Sequence, residues 1–488
     1  MNHHLFRQFS LLVIVGAIAS SHLAAAQGQA ASPGSGQPAR SAPLSVPPGS
    51  FLGGVPAGDA TGAVERLTVV SAISRALQHN LGVLTAEQNL GKAQGARGRL
   101  LADLLPNVNG RVGETRQIIN LAAFGFSGGP GSPLGDLPTL VGPFNVFDAR
   151  IFVSQSVLDF GALNGARAEA HNVEAARLMF RSARDYVIHV SGSLFVQALA
   201  ASARADAARS QEETARTLHR QALDLKQGGL IAGIDVLRAE VQLSTQTQRS
   251  TIAGNEFEKA KLQLARAIGL PLGQRFDLDP ALPNLPAADI SLDDAVAIGY
   301  RTRPDYKAAL ERLGAAEATR RSIVGDALPS VRVNADFGEI GLSPADARAT
   351  FAVTGAVNVP IFQGGRTRGR LIEADADIRS RRAEAEDLKA SIYYEVRAAF
   401  LDLDATARQL ALAGKTRDLA NQQLTQARDR FAAGVASNVE VVQAQDAVAV
   451  ATEQFISAQY GYDLAKGALV RGTGTSEDLL RQLLGGAR

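Results

Sequence analysis

The residues in this chain that could perform chemistry occur in arrangements that fit no common reaction. The segment GGRTRGRL, residues 364–371, has the glycine spacing of a phosphate-binding loop, but Arg370 and Leu371 stand where such loops place Lys and Ser or Thr. Four histidines outside residues 1–26 have no metal-ligand spacing: His79, His171, His189 and His219. The sequence therefore predicts no enzyme, no cofactor and no metal. The glycine segment is interpreted as close packing where a strand becomes a helix.

Composition narrows the class of protein further. The chain has 488 residues, with 50 Lys and Arg against 48 Asp and Glu, and it contains no cysteine. A nearly neutral chain gives no reason to expect nucleic acid as a partner. Without cysteine there is no disulfide, no thiolate zinc site and no thioether lipid anchor.

The N-terminus has the pattern of an export signal. Arg7 precedes an apolar run at residues 11–19, and small residues lead up to Gln27. We interpret residues 1–26 as a signal peptide and the Gly-, Pro- and Ser-rich residues 27–66 as a flexible leader. No later stretch has about 18 unbroken apolar residues, the length that a membrane helix needs. Any contact with a membrane is therefore expected from strands or from the surface.

The rest of the chain consists of two copies of one sequence repeat. LLADLLPNVNGR at residues 100–111 matches IVGDALPSVRVN at residues 323–334, and Pro106 aligns with Pro329. The matches predict a first repeat at 67–273, a connector at 274–289, a second repeat at 290–474 and a tail at 475–488. The first copy carries about 19 additional residues in its Gly- and Pro-rich segment FGFSGGPGSPLGDLPTLVGP.

Each copy has the same succession of local signals. A capped helix of about 35 residues is expected to stop at Pro106 or Pro329, where an alternating, strand-like pattern begins. After Gly161 or Gly365 the helical period returns for about 65 residues, with a narrow apolar stripe typical of coiled coils. A shorter helix then runs back. Four alternating segments are predicted as strands: NVNGRVGETRQI, FNVFDARIFVSQSVL, SVRVNADFG and TFAVTGAVNVPIF.

Four strands of this length suit an outer membrane but cannot close a barrel alone. An open sheet would leave unpaired backbone groups in lipid. A symmetric oligomer removes these edges: a dimer would provide about eight strands and a trimer about twelve.

These features together resemble the TolC family of outer-membrane efflux proteins. The resemblance rests on the duplicated helix-Leu-Pro-strand junctions, on VPIFQGGRTRGRLIEA around Pro360 and on its weaker counterpart SQSVLDFGALNGARAEA. It implies an α+β membrane protein that forms a homotrimer. Such a trimer has a 12-strand barrel in the outer membrane and a long α-helical barrel in the periplasm. The resemblance also implies a periplasmic adaptor and an inner-membrane pump as partners, and an exit duct for efflux or type I secretion as the function.

Two tips are expected at the periplasmic ends of the helical hairpins. The pairs Gly229 with Leu230 and Gly434 with Val435 suit reverse turns, because glycine reaches positive φ freely. The resemblance adds a second role, in which the exposed apolar residue contacts the adaptor. Both interpretations stay open.

Three polar residues follow these tips. Asp235 and Glu440 lie where each second helix restarts, and a carboxylate there is explained equally by the helix dipole. The resemblance instead implies an acidic ring at the periplasmic aperture, formed by Glu440 in three copies, with Gln443 where some relatives have a second acid. A ring of like charge favours cations. Phe431 and Ala436 cannot supply the polar latch that some relatives form at this end of the hairpins.

One alternative from another class remains at this point. A secreted coiled-coil interaction protein without a pore would explain the long helices. It would leave the four alternating segments and the helix-to-strand prolines without a purpose.

Overall fold

The computed structural model describes residues 48–124, 138–283, 290–433 and 435–485, and these contain two copies of one succession of elements. The signal peptide, most of the long first-copy loop, residues 284–289 of the connector and Gly434 lie outside this part. The first copy comprises β1 (Glu65–Leu67), α1 (Val69–His79), α2 (Leu81–Ala102), β2 (Asn107–Asn120), β3 (Leu140–Leu158), α3 (Phe160–Gln227) and α4 (Gly233–Ala267). The second comprises β4 (Phe276–Leu278), α5 (Leu292–Thr302), α6 (Pro304–Gly325), β5 (Ser330–Gly341), β6 (Arg348–Asn358), α7 (Arg366–Ala432) and α8 (Asn438–Thr473). A final helix, α9, spans Ser476–Gly485.

The predicted helix of about 35 residues is in each copy two helices. Asn80 separates α1 from α2 in an extended conformation, and its side-chain amide donates to the carbonyls of Phe51 and Ala267 at 2.8 and 3.0 Å. Arg303 separates α5 from α6, because Pro304 disfavours a helical conformation in the residue before it. The prediction of one continuous helix was wrong because these breaks depend on one residue in each copy.

The turn from helix to strand is the same in both copies. The Leu105 amide donates to the Ala102 carbonyl at 3.1 Å, and the Leu328 amide donates to the equivalent Gly325 carbonyl at 3.0 Å. The next residue in each copy is the predicted junction proline, and a strand begins directly after it. The repeat seen in the sequence is therefore a repeat of backbone geometry.

Four long strands form one antiparallel sheet in the order β2-β3-β5-β6. The register places Phe337 opposite both Ile151 and Phe351, so these three side chains share one face. Strands β2 and β6 are the edges of this sheet in the single chain. Exposed apolar side chains on the face of Phe337 include Val108, Val112, Ile151, Val153, Phe337, Phe351, Val353 and Val357.

The main hydrophobic core lies where α1 packs on the middle of α3. Val187, Phe195 and Leu199 of α3 are buried there with Ala72 and Ala76 of α1. One window of α3 has a mean hydropathy of 1.3, a value suited to a membrane helix, but 44% of it is buried inside the protein. The apolar character of α3 is therefore used in part for packing between helices.

Part of the predicted leader and connector is ordered. Strand β1 pairs in parallel with β4, which joins residues 65–67 to residues 276–278. Phe51 packs edge-on against Tyr186 with ring centroids 4.7 Å apart, and its ring lies over Gly82. The prediction of a flexible leader was thus wrong for residues 48–66, which the ring of Phe51, backbone hydrogen bonds and the β1–β4 pairing join to residues that are distant in sequence.

Candidate functional site at the hairpin tips and the sheet

The turn between α3 and α4 presents an apolar side chain at the end of the hairpin. Gly229 has a φ of 72°, and the Leu230 amide donates to the Leu225 carbonyl at 2.9 Å. These are features of a glycine-terminated helix, in which the residue after the glycine commonly packs back on the last turn. Leu230 nevertheless remains 74% exposed. The turn geometry explains the glycine but leaves the exposed leucine without a packing role in the single chain.

The turn between α7 and α8 repeats this arrangement at Val435. Its amide donates to the Arg430 carbonyl at 3.0 Å, and its side chain is 68% exposed. Gly434, the fourth residue predicted at the tips, lies outside the described residues. Both described apolar residues therefore occupy the exposed position that the sequence predicts.

The predicted aperture carboxylates have basic neighbours within their own hairpins. Asp235 in the first turn of α4 contacts Arg238 at 3.1 Å, and Glu440 in the first turn of α8 contacts Arg430 at 3.7 Å. The side chains of Glu440 and Arg430 are 44% and 58% exposed, so solvent screens their attraction. Both carboxylates also lie where the helix dipole favours negative charge.

The first turns of α4 and α8 border a common groove. Gln443, predicted at the aperture, lines this groove together with Arg238, the partner of Asp235. Its apolar lining was not predicted: Ile234, Leu237, Val241, Val439 and Val442. The spacing of Ile234, Leu237 and Val241 is that of one helix face, so the sequence contained a signal for this surface.

The two strand-to-helix junctions differ in their chemistry. In the second copy Gly365 precedes α7 with a φ of 81°, and Pro360 follows the end of β6. In the first copy Asp159 caps α3, since its carboxylate accepts from the Ala162 amide at 2.8 Å. Gly161 is helical and lies against the end of α6, where an added Cβ would meet the Asp326 side chain. The aligned glycines therefore serve a left-handed cap in one copy and close packing in the other.

The second face of the sheet carries a charged network centred on Arg150. This guanidinium donates to Asp148 and Thr350 at 3.2 Å each and also pairs with Asp336. Gly338 makes room for it, because an added Cβ there would lie 2.7 Å from the Arg150 Cβ. The sequence prediction did not include these residues. Only the strand register shows that they share a face.

The fold and these surfaces define a class of protein: a channel subunit with a membrane sheet and long helical hairpins. The outer membrane efflux protein family matches residues 72–270 and 301–475, which is most of the chain. The chain belongs to this family, which is a family of outer-membrane ducts and not a family of enzymes. The alternative of a secreted coiled-coil protein without a pore is therefore wrong.

Individual relatives agree with this assignment. The chain is 22% identical over 344 residues to the alkaline protease secretion protein AprF of Pseudomonas aeruginosa, covering 65% of this chain and 68% of AprF. Among solved structures, it resembles the Campylobacter jejuni CmeC outer membrane channel with a TM-score of 0.73 and 16% identity, covering 85% of this chain and 88% of CmeC. The open-state Neisseria gonorrhoeae MtrE channel gives a TM-score of 0.70 at 18% identity, covering 86% and 95% of the two chains. The structural likenesses show the fold, and the family match shows that this protein is an exit duct for efflux or secretion.

Proposed function

We propose that three copies of this chain close one 12-strand barrel in the outer membrane and continue it as a helical duct through the periplasm. The observation that carries this proposal is the register of the sheet, which separates an apolar face from a mostly polar one. Cargo would leave through the bore without any chemistry being done on it.

The edges of the sheet suit closure between copies. Neighbouring strands alternate in direction, so β2 and β6 run opposite ways. Strand β6 of one copy can therefore pair in antiparallel fashion with β2 of the next and continue the same alternation. Closure of this kind satisfies the edge amides and carbonyls that an open sheet would leave unpaired in lipid.

The apolar face has the extent that a membrane requires. On β5 and β6 it runs from Val331 and Val357 to Phe337 and Phe351, and Phe351 is 75% exposed in the single chain. Strands β5 and β6 have 12 and 11 residues, which meets the roughly 9 to 11 residues that a tilted strand needs to cross the hydrocarbon core. Lipid is the natural contact for this face, and the opposite face would then line the bore.

The helical hairpins support a docking role at the other end of the duct. Leu230 and Val435 are exposed at two tips, and Ile234 and Leu237 extend the apolar surface along α4. We propose that these residues contact a periplasmic adaptor, which joins the duct to an inner-membrane pump. Glu440 would form the charged ring of the aperture, with Asp235 and Gln443 close to it.

The first test is native mass spectrometry of the mature protein extracted from membranes in detergent. We expect a trimer that needs detergent to stay in solution, since the apolar sheet faces would otherwise be exposed to water. A matched sample with Phe351→Asp and Val353→Asp should lose membrane insertion, because two carboxylates would enter the apolar band. A species that is soluble without detergent, or a stable monomer in detergent, would contradict the shared barrel.

A further inference from the structure

The mostly polar face of the sheet carries more positive than negative charge. In the described strands this face holds four arginines and two aspartates, a net charge of +2 per chain. Both aspartates, Asp148 and Asp336, are bound by Arg150. The other three arginines are exposed and form no ion pair with any described residue: Arg111, Arg332 and Arg348.

Arg150 has a structural role and is not available to a ligand. Each nitrogen of its guanidinium contacts a partner on this sheet, and its side chain is only 17% exposed. Arg111 lies directly opposite Arg150 in the strand register. No acid on this face is left to neutralise it, because Arg150 already occupies both. Among the described strands, the positive charge of this face is therefore not compensated.

We infer that the barrel interior is an anion-selective section of the duct, in series with the cation-favouring ring that we propose for Glu440. This inference rests on the proposed function, because only closure with the polar face inward places the arginines in the bore. Three copies would then place nine unpaired arginines and a net charge of +6 around one lumen. Fields within a confined aqueous passage attract ions of the opposite sign and raise their local concentration.

The apolar face lacks this bias. Its charged residues lie toward the ends of the strands where β2 connects to β3 and β5 connects to β6: Glu114, Arg116 and Glu339. Arg116 is thus an arginine of the same strand as Arg111 but on the opposite face. It provides a matched control for a change in net charge alone.

Because the chain contains no cysteine, one introduced thiol can report the potential inside the barrel. Thr354 on β6 is exposed on the polar face and pairs with Asn334, next to Arg332 along the same face. We would make Thr354→Cys in the full-length trimer in liposomes. Its rate of reaction would be measured with anionic sulfonatoethyl methanethiosulfonate and with cationic trimethylammonioethyl methanethiosulfonate, each relative to a free thiol.

We expect the ratio of the anionic to the cationic reaction rate at Thr354→Cys to exceed the same ratio for a free thiol by about fivefold or more. Replacing Arg111, Arg332 and Arg348 by Gln should bring this preference close to unity, whereas Arg116→Gln should leave it unchanged. The single change Arg332→Gln should lower the preference for the anionic reagent by a smaller factor. This variant still tests the inference if the triple variant does not assemble. A preference near unity in the unaltered background, or one that survives the triple change, would overturn the inference while leaving the duct intact. If Thr354→Cys resists both reagents while Val353→Cys reacts, the polar face does not line water, and the proposed function fails as well.

Discussion

At the scale of single residues, Asp185 shows how burial alters acidity. It lies in the core of the helical region, 3% exposed, and its carboxylate accepts from the Glu477 amide at 3.2 Å. Burial, helped by the charges of Glu477 and Asp478 and opposed by Arg471, raises the pKa of Asp185 to about 6. This carboxyl group therefore fixes α9 on α3 at an energetic cost whenever it is ionised.

The pH dependence of stability should reveal this cost. A pKa raised above the unfolded value means that the folded state binds the proton more tightly, so the contribution of Asp185 grows as pH falls from 7 toward 4. At pH 7.5 we expect Asp185→Asn to raise the free energy of unfolding by on the order of 2 kcal/mol, and the variant should therefore melt at a higher temperature than the unaltered protein. This difference in melting temperature should shrink as the pH is lowered toward 5. The control is Asp206→Asn, which makes the same chemical change at a carboxylate that is 65% exposed. A gap that widens on acidification would contradict this account.

Glu440 is the residue on which the aperture proposal depends. Its weak, exposed contact with Arg430 leaves most of its charge available to a ring formed by three copies. We expect Glu440→Gln to reduce cation preference severalfold in planar bilayers with a salt gradient. Glu453→Gln changes the same charge farther along α8 and should have little effect. An unchanged reversal potential in Glu440→Gln would remove the aperture role and leave the carboxylate as a helix-terminal residue.

At the scale of elements, the hairpins separate the parts that hold the fold from the parts that are free to bind. The turns are secured by backbone hydrogen bonds such as Leu230 to Leu225, which need no particular side chain. The exposed leucine and valine can therefore change without breaking the turn.

The tips should tolerate substitution in folding but not in transport. We expect Leu230→Asp combined with Val435→Asp to leave trimers intact and to abolish efflux, because charged groups would be buried against the adaptor. Loss of two central apolar contacts should weaken binding by about tenfold or more. The matched pair Leu230→Ile with Val435→Ile keeps the apolar surface and should keep efflux. Normal efflux in the double aspartate variant would contradict the proposed docking role.

Close packing at the helix ends gives a prediction for the junctions. An added Cβ at Gly325 would lie 2.5 Å from the Phe160 carbonyl carbon, so α6 and α3 would have to separate. We expect Gly325→Ala to destabilise the protein by about 1 to 3 kcal/mol. Gly98 lies inside α2 with nothing near its added Cβ, and Gly98→Ala should stabilise by about 0.5 to 1 kcal/mol. Melting temperatures in detergent that shift in the same direction for both would contradict the packing argument.

At the scale of the whole molecule, the proposed function requires other copies of the chain. One chain provides a sheet with two unpaired edges, β2 and β6. It also has an apolar face whose exposure to water is unfavourable. The proposed closure would pair the edge backbone groups of both strands, and insertion of the closed barrel would place the apolar face against lipid.

Cysteine pairs across these edges can test the closure directly. Val112→Cys places a thiol on the apolar face of β2, and a second cysteine is moved along β6 through residues 350–356. We expect oxidation to give covalent trimers at one or two positions among Phe351, Val353 and Gly355, which lie on that same face. The intervening residues Thr350, Ala352 and Thr354 point to the other face and should not react. Equal yields for both sets, or no product larger than a dimer, would argue against the barrel.

The sequence by itself determined the repeat, the two helical hairpins, the four strands and the exposed tip residues. These depend on local signals: a proline that stops a helix, a change of hydrophobic period, and glycine at a turn. Family membership followed from the same signals because they occur twice in one order. The positions of Leu230 and Val435 at the tips were readable for the same reason.

Only the tertiary structure decided what depends on partners distant in sequence. The break at Asn80, the ordering of residues 48–66 and the burial of Asp185 each rest on contacts with residues that are distant in sequence. The strand register likewise gathered Asp148 and Asp336 around Arg150 and left three arginines of that face without an ion pair to any described residue. Alternation along a strand assigns faces within that strand. Which side chains of different strands meet is set by the hydrogen bonds between the strands.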